Sequence, residues 1–125
     1  MILKRALIVR KPWIDLILSS QKTWEMRSRP TTITGDIGLI EAGSGLIVGH
    51  ASLIGCVSMD GQSWRDTLDK HCIEDSRIWT GNWQTAWQLN APLRFTKPIP
   101  YEHPRGAVVW VNIENLGIES CHATY

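Results

Sequence analysis

Only three cysteines, one phenylalanine and two tyrosines occur in the 125 residues, and no stretch of about 18 apolar residues is present. Each shortage removes a class of protein. Without a long apolar run no segment reads as a membrane-spanning helix. The start Met1-Ile2-Leu3-Lys4-Arg5-Ala6-Leu7 interrupts its apolar residues with charge instead of building a signal-peptide core. Cys56, Cys72 and Cys121 form no CxxC and cannot all pair within one chain, which is the usage of reduced intracellular thiols. A cytoplasmic protein with no structural disulfide is therefore expected. Gly43, Gly45 and Gly49 miss the GxGxxG spacing, and neither a GxxxxGK(S/T) loop nor a GxSxG elbow occurs. His71-Cys72 and Cys121-His122 together number four zinc-ligand types, but adjacent residues rarely both reach one metal. No metal or cofactor is expected.

What remains is a chain with 43% hydrophobic residues, enough to bury one substantial core. Residues 1–116 are expected to form a single domain, followed by a loosely held tail over 117–125. The net charge of +1 is unevenly spread: residues 1–30 sum to +5 and residues 31–125 to −4. A local anion-binding patch fits that asymmetry better than a uniformly basic nucleic-acid coat.

Ile2 to Val9 reads as a strand. Lys11-Pro12-Trp13 then opens a short helix whose Trp13, Ile14, Ile17 and Leu18 fall at helical spacing. A strand over Lys22–Arg29 ends at Pro30. In an extended chain Lys22, Trp24 and Met26 take one face, and Thr23, Glu25 and Arg27 the other. Thr34-Gly35-Asp36 and Gly43-Ser44-Gly45 mark turns around a buried strand at Ile37–Ile40, and Leu46 to Val57 reads as a long bent strand. A second helix is expected over Ser63–Ile73 from Trp64, Leu68 and Cys72. Further strands are expected over Thr85–Leu89 and Ala107–Ile113, while Lys97-Pro98-Ile99-Pro100 reads as an irregular link outside any ladder. About six strands with two short helices give an α+β domain built on a curved sheet or partly closed barrel. Of the seven tryptophans, Trp64, Trp87 and Trp110 are assigned to packing. Trp13, Trp24, Trp79 and Trp83 are left as stacking surfaces for a base.

The run from Lys11-Pro12-Trp13 to Lys22-Thr23-Trp24-Glu25-Met26-Arg27 resembles the signature of ASCH-domain proteins, in which a short helix leads through a G-x-K turn into a K-T-x-E-x-R strand. Thr34-Gly35-Asp36, Gly49–Val57, Trp87–Phe95, Pro98–Tyr101 and Gly106–Trp110 are similar to later parts of that family, so the resemblance covers roughly residues 5–113. It implies a small PUA-like β-barrel, a fold associated with RNA binding, with a cleft beside the helix and the Lys22–Arg27 strand. Some relatives are amidohydrolases that deacylate acylated cytidines with a lysine, a threonine three residues later and a downstream glutamate; others are reported as ribonucleases. Lys22 matches the lysine. Glu25 stands where the threonine would be, and the downstream acid is Glu74 or Asp75.

The expected site therefore has Lys22, Glu25 and Glu74 as its catalytic residues, with Lys11, Trp13, Trp24, Arg27, Arg29 and His103 binding the ligand. Lys22 supplies charge or, if burial lowers its pKa, a base; Glu25 accepts a proton from water or a hydrogen bond from a cytosine amine. Three functions stay open. The first is recognition of RNA or a modified nucleoside in a basic cleft. The second is amidohydrolysis of acylated cytidine nucleosides, and the third is a ribonuclease acting on single-stranded RNA with His103 as a further acid or base. Neither a membrane nor a partner protein is inferred.

Overall fold

A computed structural model describes residues 1–74 and 84–121, so Asp75, Trp79 and Trp83 lie outside the described residues. Six strands form one mixed sheet: β1 (Arg5–Val9), β2 (Trp24–Arg27), β3 (Gly35–Glu41), β4 (Leu46–Ser58), β5 (Thr85–Pro100) and β6 (Trp110–Asn112), in the order β2-β5-β4-β3-β1-β6. Only the β1–β3 pair is parallel; β2 and β6 are the edges, and the sheet is not closed. Among the described residues no helix is long and apolar enough to cross a membrane.

Both faces of the sheet are covered, and the strand alternation decides which residue goes where. In β1, Leu7 and Val9 join one core with Ile37 and Leu39 of β3, whereas Ala6 joins a second with Ile40, Ile47, Val111 and Ile113. Helix α1 (Trp13–Leu18) presses Ile14, Ile17 and Leu18 into the first core, as its apolar spacing predicts.

β4 and β5 are long because bulges let them bend. Their register shifts at three points, between Ile47 and Gly49, His50 and Ser52, and Leu53 and Gly55. The expected irregular link at Lys97–Pro100 is instead the end of β5. Tyr101 donates its N–H to Gly45 O on the β4 side, so alternation turns Pro98 and Pro100 the other way. That edge is open, because β2 pairs only with residues 85–88. The missing proline donors therefore interrupt no ladder.

The expected Ser63–Ile73 helix is two short ones, α2 (Gly61–Asp66) and α3 (Leu68–His71), making three α-helices in all among the described residues. Asp60 caps α2 in a reciprocal box with Ser63. The break falls at Thr67, whose hydroxyl donates to Ser63 O at 2.7 Å while its backbone leaves helical geometry. Leu68 is consequently exposed, and Cys72 ends α3 at φ +61°. At the far end, the segment expected to be loose is tied as far as Cys121: Leu3 donates to Ile118 O, and Ser120 to Met1 O. Only residues 110–112 of the expected 107–113 strand form a ladder.

Candidate functional site

The turn between α1 and β2 sets the site. Ser20 takes φ +68° and Lys22 N–H donates to Leu16 O at 3.0 Å, so Lys22 lies in the turn and escapes the strand alternation expected of it. Its side chain folds back toward Glu25, with none of its surface exposed. The Lys22 ammonium donates to the carbonyl of His71 at the end of α3, lies 3.8 Å from Glu25 Oε1 and 4.9 Å from the centre of the Trp13 ring. Burial lowers its pKa to about 8; Glu25 pulls the other way, and Arg27 adds to the lowering.

Glu25 and Arg27 share a strand face as expected. Arg27 sends both Nε (3.2 Å) and Nη2 (2.9 Å) to Glu25 Oε2, and Nη2 also donates to Ile8 O at 2.7 Å. The guanidinium sits 5.5 Å from the Trp87 ring, itself stacked on Trp110 at 5.7 Å. With Oε2 taken, Oε1 is the oxygen of Glu25 that makes no hydrogen bond among the described residues, on a side chain only 8% exposed. Arg27→Lys loses the planar fork and is expected to lower stability by about 2 kcal/mol in urea denaturation, since the second, Nε–H bond to Glu25 and the flat contact with the Trp87 ring are lost.

A cleft of about 610 Å³ opens over this wall, lined by Arg10, Trp13, Glu25, Arg27, Ile73 and His103 together with Ala107–Val109. Val108 is 75% exposed at its edge. The His103 imidazole accepts from the Tyr101 hydroxyl at Nδ1 (2.7 Å) and donates from Nε2 to Ala107 O (2.8 Å), which shapes the loop on that side.

Trp13, Glu25, Arg27 and His103 thus come together around one cavity, with Lys22 directly behind Glu25. Other expected members stand apart. Lys11 is exposed in ion pairs with Asp15 (3.9 Å) and Glu41 (3.7 Å). Trp24 packs against the cluster of Met59 and Trp64, with the Lys70 ammonium 5.8 Å from its ring, and does not line the cleft. Arg29 is exposed, and its carbonyl accepts from Trp87 Nε1 at 2.8 Å. Glu74 is exposed next to Ile73, and among the described residues no hydrogen bond or ion pair joins it to Lys22 or Glu25. Sequence reasoning passed over Arg10, although Ile8 and Arg10 stand two apart, the spacing that puts both on the cleft side. It also missed His71, which acts through its main-chain carbonyl and so leaves no side-chain signature.

The profile of the ASCH domain matches residues 7–99, most of the chain, including the Trp13, Glu25 and Arg27 wall of the cleft. The chain belongs to the ASCH family. The ASCH protein of Zymomonas mobilis superposes with a TM-score of 0.68 at 16% identity, over 90% of this chain and 89% of that one. A tyrosine-to-phenylalanine variant of the same protein gives 0.66 at 17% over 87% and 88%. A serine-to-alanine variant gives 0.67 at 16% over 87% of both chains. Identity this low establishes a common ASCH fold. No curated protein matches the sequence.

Proposed function

We propose that this ASCH domain is a cytoplasmic protein that binds one nucleoside unit, free or within RNA, through the exocyclic N–H of a cytidine-type base. The observation that carries this reading is Glu25 Oε1, at the wall of the cleft on a side chain 8% exposed, 3.8 Å from the Lys22 ammonium and without a hydrogen-bond donor among the described residues. An oxygen in that state is satisfied by a ligand N–H. Trp13 offers an indole at the same wall, and the cavity lies in the size range of small-molecule sites. Arg27 is committed to Glu25, so among the described residues of the lining Arg10 is the arginine or lysine left to meet a phosphate or ribose. A single nucleotide suits that charge better than a long backbone track.

Hydrolysis of an acylated cytidine is the second reading, favoured by Lys22 with its pKa lowered to about 8 directly behind Glu25. In that reaction a water gives a proton to Glu25 Oε1 as its oxygen adds to the acyl carbon. The carbon–N4 bond then breaks, the proton passes to N4, and a carboxylic acid and cytidine are released. Lys22, buried behind Glu25, acts on Glu25 and not on the substrate. A ribonuclease would have to use His103, whose two ring nitrogens are engaged by Tyr101 and Ala107.

Titrating the protein with cytidine, N4-acetylcytidine and uridine, followed by amide NMR shifts, tests the binding. Shifts are expected at Trp13, Glu25 and Arg27 with the cytidines. Glu25→Gln is expected to weaken binding roughly tenfold, about 1.4 kcal/mol. Equal affinity in wild type and variant would remove Glu25 from recognition. Mass spectrometry of the same mixtures, with single-stranded RNA added as a further substrate, reads acetate release or chain cleavage.

A further inference from the structure

His71 is fully buried, although it touches neither the cleft nor any ligand group named above. Its imidazole donates from Nε2 to Trp64 O at 2.7 Å and accepts at Nδ1 from the Ile73 N–H at 3.0 Å, and it stacks on Trp64 with ring centres 4.3 Å apart. A carbonyl can only accept and an amide N–H can only donate, so these two bonds require the neutral Nε2–H form. The same residue's carbonyl receives the Lys22 ammonium. One residue on, Cys72 turns the chain at φ +61° and hands Ile73 to the cleft wall. The ring therefore fixes the backbone on both sides of the atom that holds Lys22.

We propose that His71 is the positioning residue of the Lys22–Glu25 pair: its neutral imidazole, braced between Trp64 O and Ile73 N–H, holds its own carbonyl on Lys22 and Ile73 in the cleft wall. Protonating the ring puts a second N–H at Nδ1 against the Ile73 N–H. The brace then fails, Ile73 leaves the wall, and Lys22 loses its acceptor. Lys22 from the α1–β2 turn and Asp69 on α3 are the charges that act on the ring; burial first, then Lys22, keep it neutral, while the bond to Trp64 O and Asp69 oppose them. The significance for ligand handling rests on the proposed function, but the positioning itself is read without a ligand.

The test follows the Lys22 Cε–H resonance and the Ile73 amide by NMR. In the wild type, Ile73 exchange protection and the Lys22 shift are expected to change together with the His71 ring as pH falls. In His71→Asn, which keeps an acceptor near Nδ1 but loses the donor to Trp64, the Lys22 acid dissociation constant is expected to rise roughly tenfold, because the buried ammonium loses the carbonyl that stabilises it. His71→Gln keeps the donor and serves if the first variant does not fold. A Lys22 titration unmoved in a folded variant, or a wild-type Ile73 amide indifferent to His71 protonation, overturns the proposal. Nucleoside binding measured in parallel separates this outcome from failure of the ligand assignment: a moved Lys22 with no nucleoside bound leaves the positioning role standing.

Discussion

Wild-type protein is expected to gain about 2 kcal/mol of stability relative to Lys22→Met as pH rises from about 7 to about 9.5. The sign follows from the lowered pKa. An unfolded chain holds the Lys22 proton up to the ordinary value of 10.5, whereas the folded chain releases it from about 8. Between those values the unfolded state binds more protons, so stability rises with pH. Below about pH 8 both states carry the charge, and the fold bears the full cost of burying it. Desolvation outweighs the attraction of Glu25 because Glu25 spends its closer oxygen on Arg27 at 2.9 Å and meets Lys22 only at 3.8 Å. Methionine fills a similar volume without a titrating group, so ionisations that do not interact with Lys22 cancel in the difference. Urea denaturation of both proteins across the pH series measures it. Parallel curves would mean that Lys22 titrates as an ordinary surface lysine.

Gly49→Ala is expected to cost about 3 kcal/mol or more and to leave the chain largely unfolded near room temperature if its stability is marginal. A methyl group there would lie 2.2 Å from Leu93 O, 2.8 Å from Leu18 Cδ2 and 3.2 Å from Arg94 Cα. Leu18 can change rotamer. The Leu93 carbonyl cannot move without pulling β5 away from β4, where Gly49 pairs with Arg94 beside a register shift. The same bend seats α1 against the sheet, so the cleft would be lost with the fold. Gly55→Ala is the control, because its methyl would meet only Gln88 Oε1 at 3.7 Å. Circular dichroism and urea midpoints of the pair decide the matter; equal midpoints would show that β5 yields at no cost.

Much of this architecture was legible from local pattern. Leu7 and Val9 facing one core while Ala6 faces another is plain alternation, and Ile14, Ile17 and Leu18 mark the buried stripe of α1. Pro98 and Pro100 misled because proline forbids a ladder bond only on the side where a neighbour exists, and which edge is open is a property of the sheet order. The split of the second helix turned on one threonine hydroxyl bonding backwards to Ser63, a competition that spacing does not register.

The site divides in the same way. Glu25 and Arg27 on one face follow from the period of a strand, and the density of Lys22, Trp24, Glu25 and Arg27 in six residues marked the segment before any fold was known. Lys22 joining Glu25, in spite of that period, depended on the left-handed turn at Ser20 and on a carbonyl 49 residues away at His71. Sequence by itself determined the α+β character, the helix-to-strand motif and the carboxylate–guanidinium pair, because each is set by neighbours along the chain. Only the tertiary structure decided that Lys22 is buried, that Trp13 and His103 line one cavity while Trp24 and Lys11 do not, and that Glu25 Oε1 makes no hydrogen bond among the described residues. Those are matters of distance between segments far apart in sequence, and burial and charge act through distance.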